Sequence, residues 1–312
     1  MIQIDILLRE DQIAQEFMDA LERHDLPEKF FYWFPLSIRA WINLCGDGAY
    51  RNYVRSHSAL QNHAAGIVSI LPSEPIELIS LGAGQGTKDF LIMEHLQKQG
   101  KYLNYRPVDA SQGLLEIACQ SAKDKNFACR GLKADLNNDS HLKEIEKISD
   151  DRPRLIMILG NTLGAFDPLK FATKLDKIMR PEDFLILDGE IFNQTDTLAG
   201  YDNPINRQFA FGPLSSVGLS EPNDGRLHIQ TDIDNRQAGL YRIRKHFQAS
   251  RDLKIMLAGE TVQILSDTNI EMSWSYKYDR DALAGLITSS GMKIVAEYLS
   301  TDKRFMTLLV KK

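Results

Sequence analysis

The sequence predicts an α/β protein built on a doubly wound, mostly parallel sheet, with a β-rich insertion late in the chain. Three observations predict it. Apolar runs of strand length alternate with amphipathic stretches of helix length between residues 76 and 190. The alternation stops over residues 194–275, where Asn203-Pro204 and Glu221-Pro222-Asn223-Asp224-Gly225 punctuate stretches of alternating polarity such as Tyr241-Arg242-Ile243-Arg244-Lys245-His246-Phe247. It resumes with a helix and two closing strands before residue 312.

Taken in order, residues 10–24 place Ile13, Phe17 and Leu21 on one helical face, and Asp25-Leu26-Pro27 ends that helix. Residues 28–57 hold Phe30, Phe31, Tyr32, Trp33, Phe34, Trp41, Tyr50 and Tyr53, a cluster that serves either as core or as a substrate-facing wall. Ile76 to Leu81 reads as a buried strand, Gly82-Ala83-Gly84-Gln85-Gly86 as a turn, and Thr87 to Leu96 as a helix. A strand from Asn104 to Val108 ends in Asp109, and a helix follows from Gln112 to Lys123. Asn126 to Leu132 suggests a short strand with Asp135 just beyond it. Arg154 to Leu159 is a strand, Leu169 to Met179 a helix, and Asp183 to Leu187 a strand running into Asp188-Gly189-Glu190. The close is a helix from Asp279 to Ser290 and strands at Lys293–Leu299 and Arg304–Val310. No internal repeat is visible.

Composition narrows the function. The chain has 312 residues, 37 basic and 42 acidic, for a net charge of −5. That balance gives no general attraction to a phosphate backbone, so no nucleic-acid partner is expected. No apolar stretch approaches the ~20 residues of a membrane helix, so no membrane partner is expected either. Asp5 and Arg9-Glu10-Asp11 interrupt the N-terminus before a signal segment forms, and a cytoplasmic location is expected. Cys45, Cys119 and Cys129 are scattered and odd in number, with neither disulfide nor metal-ligand spacing; they read as inert thiols, and no metal site is expected.

The chemistry-bearing pattern begins at Gly82-Ala83-Gly84-Gln85-Gly86. Glycines between a strand and a helix let the backbone approach a ligand, and the helix start offers free amides. Asp109, at the next strand tip, can accept both hydroxyls of a ribose. Asp135, at the tip after that, can meet an adenine amino group. Each alone could be a cap or turn residue; together they favour S-adenosylmethionine over a nicotinamide cofactor. Lys88, one turn into the helix, can meet a carboxylate. Gly160-Asn161-Thr162-Leu163-Gly164 follows the fourth central strand, where glycines keep the backbone low, and Asp167 before Pro168 can cap the next helix.

The ordered set Leu26-Pro27-Glu28-Lys29-Phe30-Phe31-Tyr32, Leu81-Gly82-Ala83-Gly84 with Lys88, Gly160-Asn161-Thr162-Leu163-Gly164 and Ser275-Tyr276-Lys277-Tyr278 resembles the histidine-specific N-methyltransferases of ergothioneine biosynthesis and the related dimethylallyltryptophan N-methyltransferases. The resemblance extends over about residues 26 to 310. It implies a class I, Rossmann-like methyltransferase with a seven-stranded sheet, residues 58–193 plus 277–312, and a second α+β substrate domain, residues 1–57 plus 194–276. It implies S-adenosylmethionine contacts at Gly82, Ala83, Gly84, Lys88, Asp109, Ala110, Asp135, Leu136, Gly160 and Asn161. It implies substrate contacts at Tyr32, Tyr50 or Tyr53, Thr162, Tyr201 and Ser275.

Other positions depart from the family. Its amino-binding asparagine falls at Ala165, its imidazole-pairing acid at Ser273, and a methionine at Lys245. An intact donor half with an altered acceptor half implies N-methylation of a small amino-acid-like metabolite other than free histidine. O- or carboxyl-methylation of a natural-product intermediate, and a non-catalytic binding protein on the same fold, are the alternatives. No pairing designates a general base, and the sequence does not fix the oligomeric state.

Overall fold

The computed structural model describes residues 1–48, 50–149 and 152–312. In chain order the strands are β1 (Ile4–Ile6), β2 (Ile76–Leu81), β3 (Tyr102–Asp109), β4 (Gly131–Lys133), β5 (Arg154–Ile158), β6 (Phe184–Glu190), β7 (Gly225–Ile233), β8 (Leu240–Ala249), β9 (Leu253–Leu257), β10 (Glu260–Ile264), β11 (Asn269–Tyr278), β12 (Lys293–Leu299) and β13 (Phe305–Lys311). The helices are α1 (Glu10–Glu22), α2 (Pro35–Gly46), α3 (Arg51–Ile70), α4 (Thr87–Lys98), α5 (Gln112–Asp124), α6 (Asp139–Glu146), α7 (Pro168–Ile178), α8 (Gln194–Tyr201), α9 (Pro204–Ser216) and α10 (Arg280–Ser289).

The main sheet runs β1-β4-β3-β2-β5-β6-β13-β12. Its first six strands pair in parallel, and β13 enters antiparallel between β6 and β12. Central strands β2, β5 and β6 are buried along their whole length, because helices cover both faces. This is why apolar residues dominate them instead of alternating with polar ones. At the base of the sheet, Arg154 is buried and meets Asp183 through Nε at 3.0 Å, while its other nitrogens donate to the carbonyls of Glu146 and Ile178. A buried guanidinium is tolerated there because its donors find partners.

A second unit stands over the carboxyl ends of these strands. Its framework is the antiparallel sheet β7-β8-β11 with the hairpin β9–β10. Phe17, Phe30, Phe31, Phe209 and Phe247 close a core with α1, α2, α9 and the short helix Glu28–Tyr32. The apolar face expected for residues 10–24 is fully buried here, with Ile13, Phe17 and Leu21 completely shielded.

Several expectations need correction. The main sheet has eight strands rather than seven, because Ile4–Ile6 pairs in parallel with Gly131–Lys133. The first residues therefore join the main sheet, although residues 1–57 were expected wholly in the substrate domain. The boundary expected at residue 58 falls inside α3, which also packs on α4, β12 and β13. The strand expected over 126–132 shrinks to Gly131–Lys133, preceded by one bridge between Tyr105 and Cys129, since Asn126 adopts φ 60° and breaks extended geometry. The insertion opens with two helices, α8 and α9, before its strands. Asn193 and Asn203 cap them, each side chain accepting a backbone N–H.

Candidate active site

The site lies where the strand order turns at β2, the crevice that open α/β sheets offer to ligands. Gly82, Gly84 and Gly86 all adopt positive φ, at 72°, 56° and 73°, so the chain after β2 doubles back and leaves the start of α4 open. Asp109 ends β3 directly beside this turn. Its Oδ2 accepts from the Gly84 amide at 2.8 Å and its Oδ1 from the Ser111 amide at 2.9 Å. Burial raises the Asp109 pKa, opposed by the amides of Ser111, Gly84 and Ala110. Each oxygen keeps a second lone pair for a ligand hydroxyl.

Asp135 lies farther along the same cleft, its Oδ2 2.6 Å from the ammonium of Lys29, which also meets Glu16. Its Oδ1 accepts from the Asn137 amide at 2.8 Å. Burial works against the Lys29 charge, but Asp135 and Glu16 outweigh it and leave the ammonium above its ordinary pKa. Lys88 reaches across the turn: its ammonium lies 5.6 Å from the centre of the Tyr53 ring, and it occupies the space a Cβ on Gly160 would need.

All ten residues expected on the donor side line one cleft: Gly82, Ala83, Gly84, Lys88, Asp109, Ala110, Asp135, Leu136, Gly160 and Asn161. The cleft continues to Tyr32, Tyr50, Tyr53, Thr162, Ala165, Tyr201, Lys245 and Ser275. Tyr50 and Tyr53 both line it. The aromatic segment divides: Phe30 and Phe31 are core, while Tyr32, Trp41, Tyr50 and Tyr53 form the wall with Phe209. Burial pushes the phenols of Tyr32 and Tyr50 well above their ordinary pKa, so both stay neutral.

Three expected residues have their polar atoms engaged within the protein. Ser273 is not among the lining residues; it sits in a left-handed bulge at φ 65° and donates its hydroxyl to Glu28. Asn161 lines the cleft, but its amide is committed. Nδ2 donates to Ser275 Oγ at 3.2 Å and to the Tyr276 carbonyl at 3.1 Å, and Oδ1 accepts from the Glu190 amide at 3.1 Å. Thr162 likewise spends its hydroxyl on the Leu159 carbonyl at 2.8 Å.

Below the cleft floor lies a buried pair that the sequence reading did not single out. The Lys277 ammonium is 3.0 Å from Glu190 Oε2, 2.8 Å from Tyr201 Oη and 3.0 Å from Ser275 Oγ. Glu190 also receives Asn52 Nδ2 at 2.5 Å and Thr197 Oγ1 at 2.8 Å. Burial opposes the Lys277 charge, and Tyr201 and Glu190 overcome it, leaving its pKa raised. The alternation Ser273, Ser275, Lys277 on one strand, and a carboxylate two residues past Asp188, were the available signals. Glu28 and Lys29 were visible only as letters beside Tyr32.

Lys277 donates to Tyr201 Oη, so the Tyr201 proton must go elsewhere. Ser275 Oγ faces donors from Lys277, Asn161 and Tyr201, the last at 3.1 Å, which is more than its two lone pairs accept. The surplus hydroxyl donors must seek an acceptor, and the cleft is where one can sit.

A parallel sheet closed by an antiparallel hairpin, with a glycine turn after one central strand and a carboxylate at the tip of the next, defines a class I methyltransferase. The chain belongs to the S-adenosylmethionine-dependent histidine-specific methyltransferase family, whose sequence model matches residues 12–312. It is 28% identical over 224 residues to the histidine N-alpha-methyltransferase of Mycobacterium tuberculosis (strain CDC 1551 / Oshkosh), covering 69% of this chain and 68% of that one. It is 24% identical over 242 residues to a 4-dimethylallyltryptophan N-methyltransferase of Aspergillus fumigatus, covering 72% and 71%. Ergothioneine biosynthesis protein 1 of Neurospora crassa is 24% identical over 265 residues, which are 81% of this chain but 29% of that protein. The chain thus spans less than a third of the Neurospora protein.

Proposed function

We propose that this protein transfers a methyl group from S-adenosylmethionine to the nitrogen of a small amino-acid-like metabolite other than free histidine. The observation that carries the reading is the junction of Asp109 with the Gly84 amide at the mouth of a cleft that continues to Tyr201 and Ser275. The residues fit the donor. Gly82 to Gly86 expose backbone without side chains, Asp109 keeps lone pairs for ribose hydroxyls, and the Asp135–Lys29 pair offers an acceptor and a donor at the adenine end. Lys88, beside Gly160 and the Tyr53 ring, would take the donor's amino-acid carboxylate.

When bound, the donor supplies an electrophilic methyl on a sulfonium, lost by in-line displacement. The protein must align the nucleophile and exclude water. Tyr32, Trp41, Tyr50 and Phe209 form a wall that does the second, and their rings tolerate a cationic product. The hydroxyls of Tyr201 and Ser275 offer donors to a substrate carboxylate. An amine must arrive neutral, and burial among these rings favours its unprotonated form.

Free histidine fits poorly. Ala165 offers no side-chain acceptor, and Ser273 is turned onto Glu28. Calorimetry with S-adenosylhomocysteine, using Asp109→Ala as control, tests the donor half. Transfer of labelled methyl to a panel of amino acids tests the acceptor half. Absence of heat with the unaltered protein, or histidine as the best acceptor, would sink the proposal.

A further inference from the structure

Lys245 is only 3% exposed, yet it lines the cleft. Its one packed partner of note is the Phe31 ring, whose centre lies 4.8 Å from the ammonium. Among the described residues no carboxylate lies within ion-pair distance and no acceptor within hydrogen-bond distance. The acidic influence on Lys245 is Glu28, which lies beyond ion-pair distance and accepts the hydroxyls of Tyr32, at 3.0 Å, and Ser273. Burial first, then repulsion from Lys277, hold the Lys245 pKa below that of an ordinary lysine despite Glu28. A buried ammonium without an anion is costly unless a ligand completes it.

The fold aims this side chain deliberately. Along β8 the pairing with β7 is regular, so Ile243, Lys245 and Phe247 share one face. Opposite Lys245, strand β11 bulges: Glu271 pairs with His246 and Trp274 with Arg244, leaving Met272 and Ser273 across from the single residue Lys245. A bulge re-aims the side chains of the strand that carries it, so it turns Ser273, while regular alternation along β8 sets the face of Lys245. Ser275 pairs with Ile243, two residues from Lys245 and on the same face. At ~3.4 Å per residue the two anchors sit about 7 Å apart along the strand.

We infer that Lys245 is a specificity-determining residue: it binds an anionic group at the far end of the methyl acceptor, while Tyr201 and Ser275 hold the acceptor's own carboxylate. The acceptor class is therefore an amine with two separated anionic groups, such as an α-amino acid bearing an acidic side chain. The inference rests on the cleft being the methyl-acceptor site.

The test uses the full-length protein saturated with S-adenosylhomocysteine. Calorimetric binding is measured for two matched pairs of probes: glutamate against glutamine, and 4-carboxyphenylalanine against 4-carbamoylphenylalanine. The acidic member of at least one pair should bind about tenfold or more tightly than its amide. Lys245→Met should erase that preference while leaving S-adenosylhomocysteine binding intact and without lowering the thermal midpoint. If the amide binds as well as the acid, if no acid binds, or if the preference survives in Lys245→Met, the inference falls. Failure of S-adenosylhomocysteine itself to bind would instead bring down the methyltransferase reading. Should Lys245→Met fold poorly, Lys245→Arg keeps the charge and should retain the acid preference.

Discussion

The carboxylate of Asp109 accepts a hydrogen bond from the backbone amide of Gly84 at 2.8 Å, across 25 residues of sequence. This bond fixes the tip of β3 against the turn after β2, and so sets the distance between backbone amides and carboxylate that a nucleoside would span. Both oxygens accept backbone N–H groups, so an amide in place of the acid would set its NH₂ against a donor. Asp109→Asn should lower stability by roughly 1–3 kcal/mol in urea titrations and weaken S-adenosylhomocysteine binding more than about tenfold. Unchanged affinity would show that the carboxylate does not touch the donor.

Lys277 and Glu190 form a pair buried from solvent beneath Tyr201 and Ser275. Removing one partner leaves the other charge buried and alone. Lys277→Met or Glu190→Gln should each cost about 3–5 kcal/mol, and the double variant should cost far less than the sum. Denaturant melts of all four proteins give the coupling directly. Additive losses would mean the two charges do not depend on each other.

Gly82 has φ 72°, and a Cβ there would lie 2.6 Å from Cγ2 of Thr162. Gly82→Ala should therefore destabilise by two separable amounts, about 1 kcal/mol for the left-handed backbone and roughly 1–3 kcal/mol for the collision. Adding Thr162→Ser removes Cγ2 and should recover the second part only. Full recovery would show that backbone strain is absent, and no recovery that the collision is relieved otherwise.

Asp89 sits under the glycine turn, where burial raises its pKa to about 6, although Tyr105 and Ser80 donate to it. An acid whose folded pKa exceeds its unfolded value binds protons more tightly when folded. Its contribution is most favourable below the unfolded value of 3.8 and declines as pH rises to about 6. Relative to Asp89→Asn, the protein should lose up to roughly 3 kcal/mol between those limits. A difference curve from urea melts that stays flat over this range would contradict the assignment.

Cys45 lines the cleft, and burial pushes its thiol up to about 12 despite Lys88. In a Cys119→Ser, Cys129→Ser background, it should react with iodoacetamide at pH 8 at least about a hundredfold more slowly than free cysteine. Rapid alkylation would show that the thiolate is stabilised and that this wall of the cleft is not as apolar as the geometry implies.

Local pattern carried most of the fold. Strand-length, mostly apolar stretches at Ile76–Leu81, Arg154–Ile158 and Phe184–Leu187, alternating with helical ones, are the mark of central parallel strands, and glycines with positive φ after the first of them make the turn that lines the cleft. That the residues expected to hold the donor share one cleft was legible for the same reason: a turn and two strand tips lie at predictable ends of their elements. The edge strand Ile4–Ile6 was not, because three residues carry too little periodicity and only pairing with Gly131–Lys133 creates it. Nor were the helices that open the insertion, whose asparagine caps resemble ordinary loop residues.

The amino-acid sequence by itself determined the α/β order, the glycine turn and the acids at the strand tips, since each depends on neighbours a few residues away. Tertiary structure alone decided the far end of the cleft. Glu28 meets Ser273 across 245 residues, Lys277 meets Tyr201 across 76, and Lys245 is buried against the Phe31 ring of a distant segment. A side chain's charge is written in the sequence, but whether that charge finds a partner is settled by packing between distant elements.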